Sequence, residues 1–165
     1  MTYVPYINKG HYFDLDMLDV GTSDNAEGTF ILTEDEKIVA YSMRAFFNSP
    51  IQISSQLEHI DEFELSLYCN EEIIAINQDS AFSTAVPFIM EEDGEKVLHI
   101  YKKELSNGDY ALAVFNMGET EETVDIDLEG NFAVCDVWAK EDMGRMNKLS
   151  VPTYPHTVRI FRVSK

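Results

Sequence analysis

The spacing of apolar residues changes near Ser80, and each period predicts its own kind of structure. Upstream, Ile38, Val39, Tyr41, Ser42, Ala45 and Phe46 recur at three- and four-residue intervals behind Thr33 and Glu36, a capping box. This predicts a helix over about 34–48, stopped by Asn48-Ser49-Pro50. Asp61 and Glu64 form a second capping box, opening a helix through about Cys69, and Ile73, Ile74 and Ile76 mark a third over Glu71 to Asn77. Ile51-Gln52-Ile53-Ser54 is a short β-favouring run, Gly10 to Gly21 reads as a strand entering a loop, and Thr22 to Gly28 reads as a polar loop. The order is strand, helix, strand, helix.

Downstream the period shortens to two. Ala85–Met90, Lys96–Glu104, Tyr110–Met117, Thr123–Leu128, Ala133–Trp138 and Thr157–Val163 are β-favouring runs, separated by turns such as Asp93-Gly94, Ser106-Asn107-Gly108 and Glu129-Gly130. Short strands with inward Leu112, Val114, Ile126, Val134 and Val137 predict an antiparallel sandwich or barrel. The chain therefore divides into an alternating segment, 1–79, and an all-β segment, 80–165, that abut without a low-complexity linker. A βαβ unit takes about thirty residues and a closed eightfold barrel about 250, so the first segment holds only two βα units. Two such strands alone leave apolar faces and open edges.

Charge narrows the partners. With 165 residues, 45% hydrophobic and 12% aromatic, the chain has ample material for a core, and its net charge of -18 is repelled by nucleic acid and by anionic membranes. No apolar run approaches the ~20 residues of a membrane-spanning helix, and Met1 to Gly10 lacks signal-peptide character, so a cytoplasmic setting is expected. Cys69 and Cys135 read as two unpaired, buried thiols, and neither they nor the four histidines make a metal spacing. No metal and no cofactor are expected.

The candidate chemistry lies in Gly10 to Gly21. In an extended chain Asp14 and Asp16 would leave the same face with Cα atoms about 6.8 Å apart, opposite Phe13 and Leu15. Such an acidic edge is either a solvated strand end or a pocket wall for a polyhydroxylated ligand or a metal.

The residues Gly10-His11-Tyr12-Phe13-Asp14-Leu15-Asp16-Met17-Leu18 resemble the Gly-x-Trp-Asn-Asp-Pro-Asp-Met-Leu motif of glycoside hydrolase family 27, the α-galactosidases and α-N-acetylgalactosaminidases. In register with it, Thr33-Glu34-Asp35-Glu36 is similar to that family's helix start, Asn48 to Ser54 to its Ser-Pro-Leu-x-Ile-Ser strand, and Asn70 to Asp79 to its Asn-x-Glu-Val-Ile-Ala-Ile-Asn-Gln-Asp signature. Asp136-Val137-Trp138 is similar to its Asp-Leu-Trp.

The resemblance implies an α+β chain: the seventh and eighth βα units of a TIM barrel over 1–79, then the C-terminal antiparallel β-sandwich. It implies that Asp16 is a hydroxyl acceptor or an electrostatic neighbour of the galactose site, that Met17 walls the pocket, that Tyr12 touches its rim, and that Asp14 is a further candidate sugar contact. It places no catalytic residue here, because the family's two catalytic aspartates belong to the fourth and sixth barrel strands. The implied whole is a hydrolase of terminal α-galactosyl or α-N-acetylgalactosaminyl residues, with this chain inactive alone. Tyr12, Phe13 and Leu15 depart from the family's Trp, Asn and Pro, which bears on sugar choice. Two other expectations stand beside it: a sugar-binding sandwich with Tyr101, Tyr110, Phe115 and Trp138 as platform, or an interaction protein whose open edges make it a homo-oligomer.

Overall fold

The structure, a computed structural model, describes residues 6–8, 10–18, 20, 23–25, 28–30 and 32–165. Its helices are α1 (Glu34–Phe46), α2 (Glu62–Tyr68) and α3 (Glu71–Asn77). A small hairpin pairs β1 (Ser23–Asn25) with β2 (Gly28–Phe30). The main sheet contains β3 (Val86–Asp93), β4 (Lys96–Glu104), β5 (Tyr110–Asn116), β6 (Glu122–Asp136), β7 (Glu141–Thr153) and β8 (Thr157–Ser164), all antiparallel in the order β3-β4-β5-β8-β6-β7.

Strand parity explains how three layers form from one sheet. Leu98 and Ile100 of β4, Leu112 and Val114 of β5, and Phe161 and Val163 of β8 face one way. There they meet Val124, Ile126 and Leu128 of β6 and Leu149 and Val151 of β7, so the β6–β7 ribbon folds over β4, β5 and β8 as the second layer of a sandwich. The intervening Tyr101, Ala111, Ala113, Phe115, Val158 and Ile160 face the other way, onto Tyr41, Ala45, Phe46, Leu67, Ile73 and Ile76 of the helices. Central strand β5 is accordingly buried on both faces except at its first residue. Its two alanines leave room for the helices to approach. The fold is α+β with an antiparallel β-sandwich, and the predicted inward positions Leu112, Val114, Ile126, Val134 and Val137 are all buried.

Local chemistry sets the helix ends as the sequence predicts, within two residues. Thr33 with Glu36 and Asp61 with Glu64 both form complete capping boxes. Helix α1 stops at Phe46 rather than 48, because Asn48 turns left-handed at φ 55° and Ser49 N–H donates 2.9 Å to Arg44 O, a Schellman closure that Pro50 makes final. Helix α3 begins behind Asn70, whose side chain accepts from Glu72 N and Ile73 N.

Several strands differ from expectation. The stretch from Gly10 is not a strand: between single bridges at His11 and Leu18 it is irregular, and Asp16 sits at φ 67°. The predicted strand Ile51 to Ser54 reduces to one parallel bridge, Leu18 to Ile53, since neither segment has a further partner among the described residues. Within the predicted loop Thr22 to Gly28, Ser23–Asn25 is a strand, whereas Thr22, Ala26 and Glu27 lie outside the described residues. Thr123–Leu128 and Ala133–Trp138 are one strand, broken in register between Asp127 and Phe132 with Glu129 at φ 57°, and Trp138 lies in the turn beyond it. Strand β7 was not predicted. It is an edge strand whose first half is solvated, so apolar alternation survives only at Leu149, Val151 and Thr153. Pro152 is tolerated there because an edge needs no second ladder. The two cysteines are unpaired, but Cys69 is exposed and Cys135 half-buried, which corrects the buried reading. No helix among the described residues is long and apolar enough to cross a membrane.

Candidate functional site

Asp14, Asp16 and Met17 form a compact turn rather than one face of a strand. Asp16 N–H donates to Asp14 Oδ1 at 2.9 Å and Met17 N–H to Asp16 Oδ1 at 2.7 Å. Aspartate is among the few residues that tolerate Asp16's left-handed backbone, because a short polar side chain can bond locally in this way. Asp14 and Asp16 are exposed, Met17 is 53% exposed and Tyr12 56%. The structure thus brings Asp14, Asp16 and Met17 into one turn and leaves Tyr12 two residues ahead of it.

The turn is held from behind by α1 and its C-terminal loop. Arg44, in the last turn of α1, donates from Nη2 to Leu15 O and Met17 O, each at 3.0 Å, and from Nε to Asp16 O at 3.3 Å. Its Nη1 returns to Ala40 O at 3.0 Å. Burial lowers the Arg44 pKa, with Asp16 and Asp14 opposing that shift. Leu15 N–H donates to Ser49 Oγ at 2.9 Å, and Leu18 exchanges bonds with Gln52 O and Ser54 N at 2.7 and 3.0 Å.

Behind the turn, polar side chains fasten the helices to the sheet. Lys103 is fully buried on the helix-facing side of β4, and its Nζ donates to Asn48 Oδ1 at 2.6 Å, Ile76 O at 2.7 Å and Ala45 O at 3.1 Å. One ammonium thereby closes the carbonyl ends of α1 and α3, where a cation is favoured. Burial pushes its pKa down to about 8, against the pull of Asp79. Asn48 also donates to Ser83 O at 2.9 Å, Asn77 Nδ2 donates to Ser49 O at 3.0 Å, and Asp79 accepts from Ser106 N, Ser106 Oγ and Ala81 N. Burial raises the Asp79 pKa, but these bonds outweigh it and the net shift is downward. Asn70, Asn77 and Asp79, three residues of the Asn70-to-Asp79 motif, therefore act as a joint: a helix cap, a tie to the α1 loop and a tie to the β4–β5 hairpin. Lys37 and Glu64, paired at 2.7 Å and both buried, tie α1 to α2.

The aromatic platform does not form. Tyr101 and Phe115 are buried in the helix-facing core, and Tyr110 packs on the opposite face beneath Lys102 Nζ, 4.3 Å from its ring. Trp138 is half-buried, donating from Nε1 to Ser42 Oγ at 2.9 Å. A groove of about 320 Å³ does lie beside it, bordered by Tyr154, Pro152, Ile38 and the Asp136–Arg159 ion pair. Among the described residues no group of three or more His, Cys, Asp or Glu could hold a metal ion.

Arg44 and Lys103 were not singled out from the sequence. The signal for Lys103 was parity, since it shares the face of inward Tyr101; for Arg44 it was a cation in the last turn of an otherwise apolar stripe.

Residues 95–163 match the family model for the α-galactosidase C-terminal β-sandwich domain. An α-galactosidase of Lachancea cidri is 27% identical over 151 residues, covering 79% of this chain and 31% of the relative. An α-galactosidase A of Cellvibrio japonicus is 32% identical over 114 residues, covering 69% of this chain and 25% of the relative. The chain thus spans about a quarter to a third of these relatives. In fold it is similar to a GH27 β-L-arabinopyranosidase of Geobacillus stearothermophilus, at TM-score 0.86 and 25% identity, over 99% of this chain and 39% of that one. It is also similar to α-galactosidase I of Mortierella vinacea, at TM-score 0.83 and 22% identity, over 98% of this chain and 42% of that one.

Proposed function

This chain is a C-terminal portion of the GH27 α-galactosidase-like kind, and from that premise we propose that it completes a glycosidase whose catalytic carboxylates lie on other barrel strands. In this reading residues 1–79 are the closing βα units of the barrel, residues 80–165 are the sandwich that braces them, and the substrate is an α-galactoside-type sugar. Asp16 accepts hydroxyl hydrogen bonds, Met17 supplies an apolar wall, and Asp14 and Tyr12 shape the rim. One observation carries the proposal: Asp16 and Met17, the pair that the motif singles out, sit together on an exposed turn that runs directly into the Leu18–Ile53 parallel bridge.

The chain alone hydrolyses nothing in this reading, because losing a nucleophile or an acid/base removes orders of magnitude in rate. The test is turnover of an aryl α-galactoside by the 165-residue chain. No turnover is expected, and turnover abolished by Asp16→Asn would overturn the reading. The exposed Phe13, Ile53, Leu57 and Leu65 further support self-association of the isolated chain, strengthened by salt as the charge of -18 is screened. Sedimentation equilibrium that finds a monomer at every salt concentration would refute this.

The Trp138–Tyr154 groove favours a second reading, a sandwich that binds glycans without turnover. Trp138 is the only tryptophan, so a galactose-dependent change in its fluorescence would favour that reading.

A further inference from the structure

The turn that carries the proposed sugar contacts has no strand ladder to fix it. Between Leu15 and Leu18 its backbone carbonyls converge on a single side chain from another element. We propose that Arg44 is the positioning residue of this sugar-facing turn, an inference that rests on reading Asp16 and Met17 as sugar contacts. Its guanidinium grips the carbonyls of Leu15, Asp16 and Met17, keeps Asp16 in its left-handed conformation, and so decides where the Asp16 carboxylate stands.

Three features separate this from ordinary helix capping. Only one of the four bonds, to Ala40 O, goes back to α1; the other three leave the helix. Four acceptors exceed the three donors of an ammonium, and they are arranged for the flat, five-donor fork of arginine, so lysine cannot reproduce the set. The Arg44 backbone is itself fixed, since its carbonyl accepts from Ser49 N at 2.9 Å and Asn77 Nδ2 at 3.4 Å. Position thus passes from α3 through the end of α1 to the turn. Burial lowers the pKa of the guanidinium and the charges of Asp16 and Asp14 only oppose that shift, while the bonds themselves go to carbonyls. Asp14 and Asp16 therefore spend one oxygen each on backbone amides of the turn rather than on Arg44.

The test compares the full chain with Arg44→Lys and Arg44→Ala by amide hydrogen exchange and by D-galactose titration followed at the Asp16 and Met17 amides. In Arg44→Lys, exchange at the Leu15 and Leu18 amides is expected to rise about tenfold, the loss of roughly one charge-assisted hydrogen bond, with β4, β5 and β8 unchanged. Galactose binding should weaken by a similar factor. In Arg44→Ala, millimolar ethylguanidinium should restore slow exchange at the turn, which a general loss of helix stability would not allow. Unchanged exchange in Arg44→Lys, or exchange raised throughout α1 with no rescue, overturns the proposal. If the wild-type amides ignore galactose, the sugar reading falls by itself, and the exchange and rescue results still decide whether Arg44 positions the turn.

Discussion

The sandwich and the segment ahead of it are held together by different means. Strands β4, β5 and β8 share continuous ladders of seven paired positions, and nearly every inward residue is apolar and buried. Between Gly10 and Asp79, by contrast, the only strand pairings among the described residues are the β1–β2 hairpin and two isolated bridges. There the chain is positioned by side chains reaching across to backbone: Arg44, Ser49, Asn48, Asn77, Asp79 and, from the sheet, Lys103. A ladder spreads stability over many equivalent bonds, whereas a few polar ties concentrate it. Single substitutions should therefore remodel the turn of the N-terminal segment locally and weaken the sandwich globally.

The largest effect is expected in the sandwich core. Phe161 is 1% exposed and packs among Leu112, Val114 and Val163, so Phe161→Ala should lose about 3–5 kcal/mol in urea melts through lost transfer energy and the residual cavity. Lys103→Met comes next. It keeps the volume but leaves the Ala45 and Ile76 carbonyls and Asn48 Oδ1 without their donor, an expected loss of about 2–4 kcal/mol, partly offset because a buried charge disappears. A change smaller than 1 kcal/mol would mean that the helices do not depend on this tie.

The same lysine gives a pH dependence whose sign is fixed. Its native pKa of about 8 lies below the unfolded value of 10.5, so between those values the unfolded chain binds more protons and stability rises with pH. From pH 8 to 10 the gain should be on the order of 2 kcal/mol in the wild type and absent in Lys103→Met, with no contribution from this residue below about pH 7. Above pH 10 buried Tyr41, whose pKa is pushed up to about 12, works in the opposite direction. The smallest effect should come from the exposed Lys148–Asp125 pair on the sandwich surface: Lys148→Ala is expected to leave the melting midpoint unchanged within error.

What was legible in the sequence follows the same division. Helix starts are local chemistry, so Thr33 and Asp61 mark α1 and α2 correctly, while α3 is marked by Ile73, Ile74 and Ile76 and its cap, Asn70, appears only in the structure. Central strands are written as β-favouring apolar runs, and β5 from Ala111 to Phe115 is unbroken because both of its faces are covered. Alternation fails at the edge, where β7 contains Glu141, Asp142, Gly144 and Arg145 in succession with Met143 and half of the strand meets water. It also misleads at Gly10 to Leu18, where alternating Phe13, Asp14, Leu15 and Asp16 mimic a strand although side chains fold them into a turn. The motif singled out Asp14, Asp16 and Met17, which the structure gathers into one turn, without their conformation. Arg44, which bonds that turn from 28 positions away in sequence, is marked locally only as a cation in the last turn of α1, and nothing near it points to its partners.

Native-state hydrogen exchange across a urea series measures most directly whether the polar ties make the helices part of the sandwich. Amides of α1 and α3 are predicted to merge with those of β5 into one unfolding transition, while amides of the Asp14–Met17 turn exchange by local opening at every urea concentration. If α1 and α3 instead open together at a free energy well below that of β5, the two regions are separate bodies, and the ties through Lys103, Asn48 and Asn77 do not hold the turn in place.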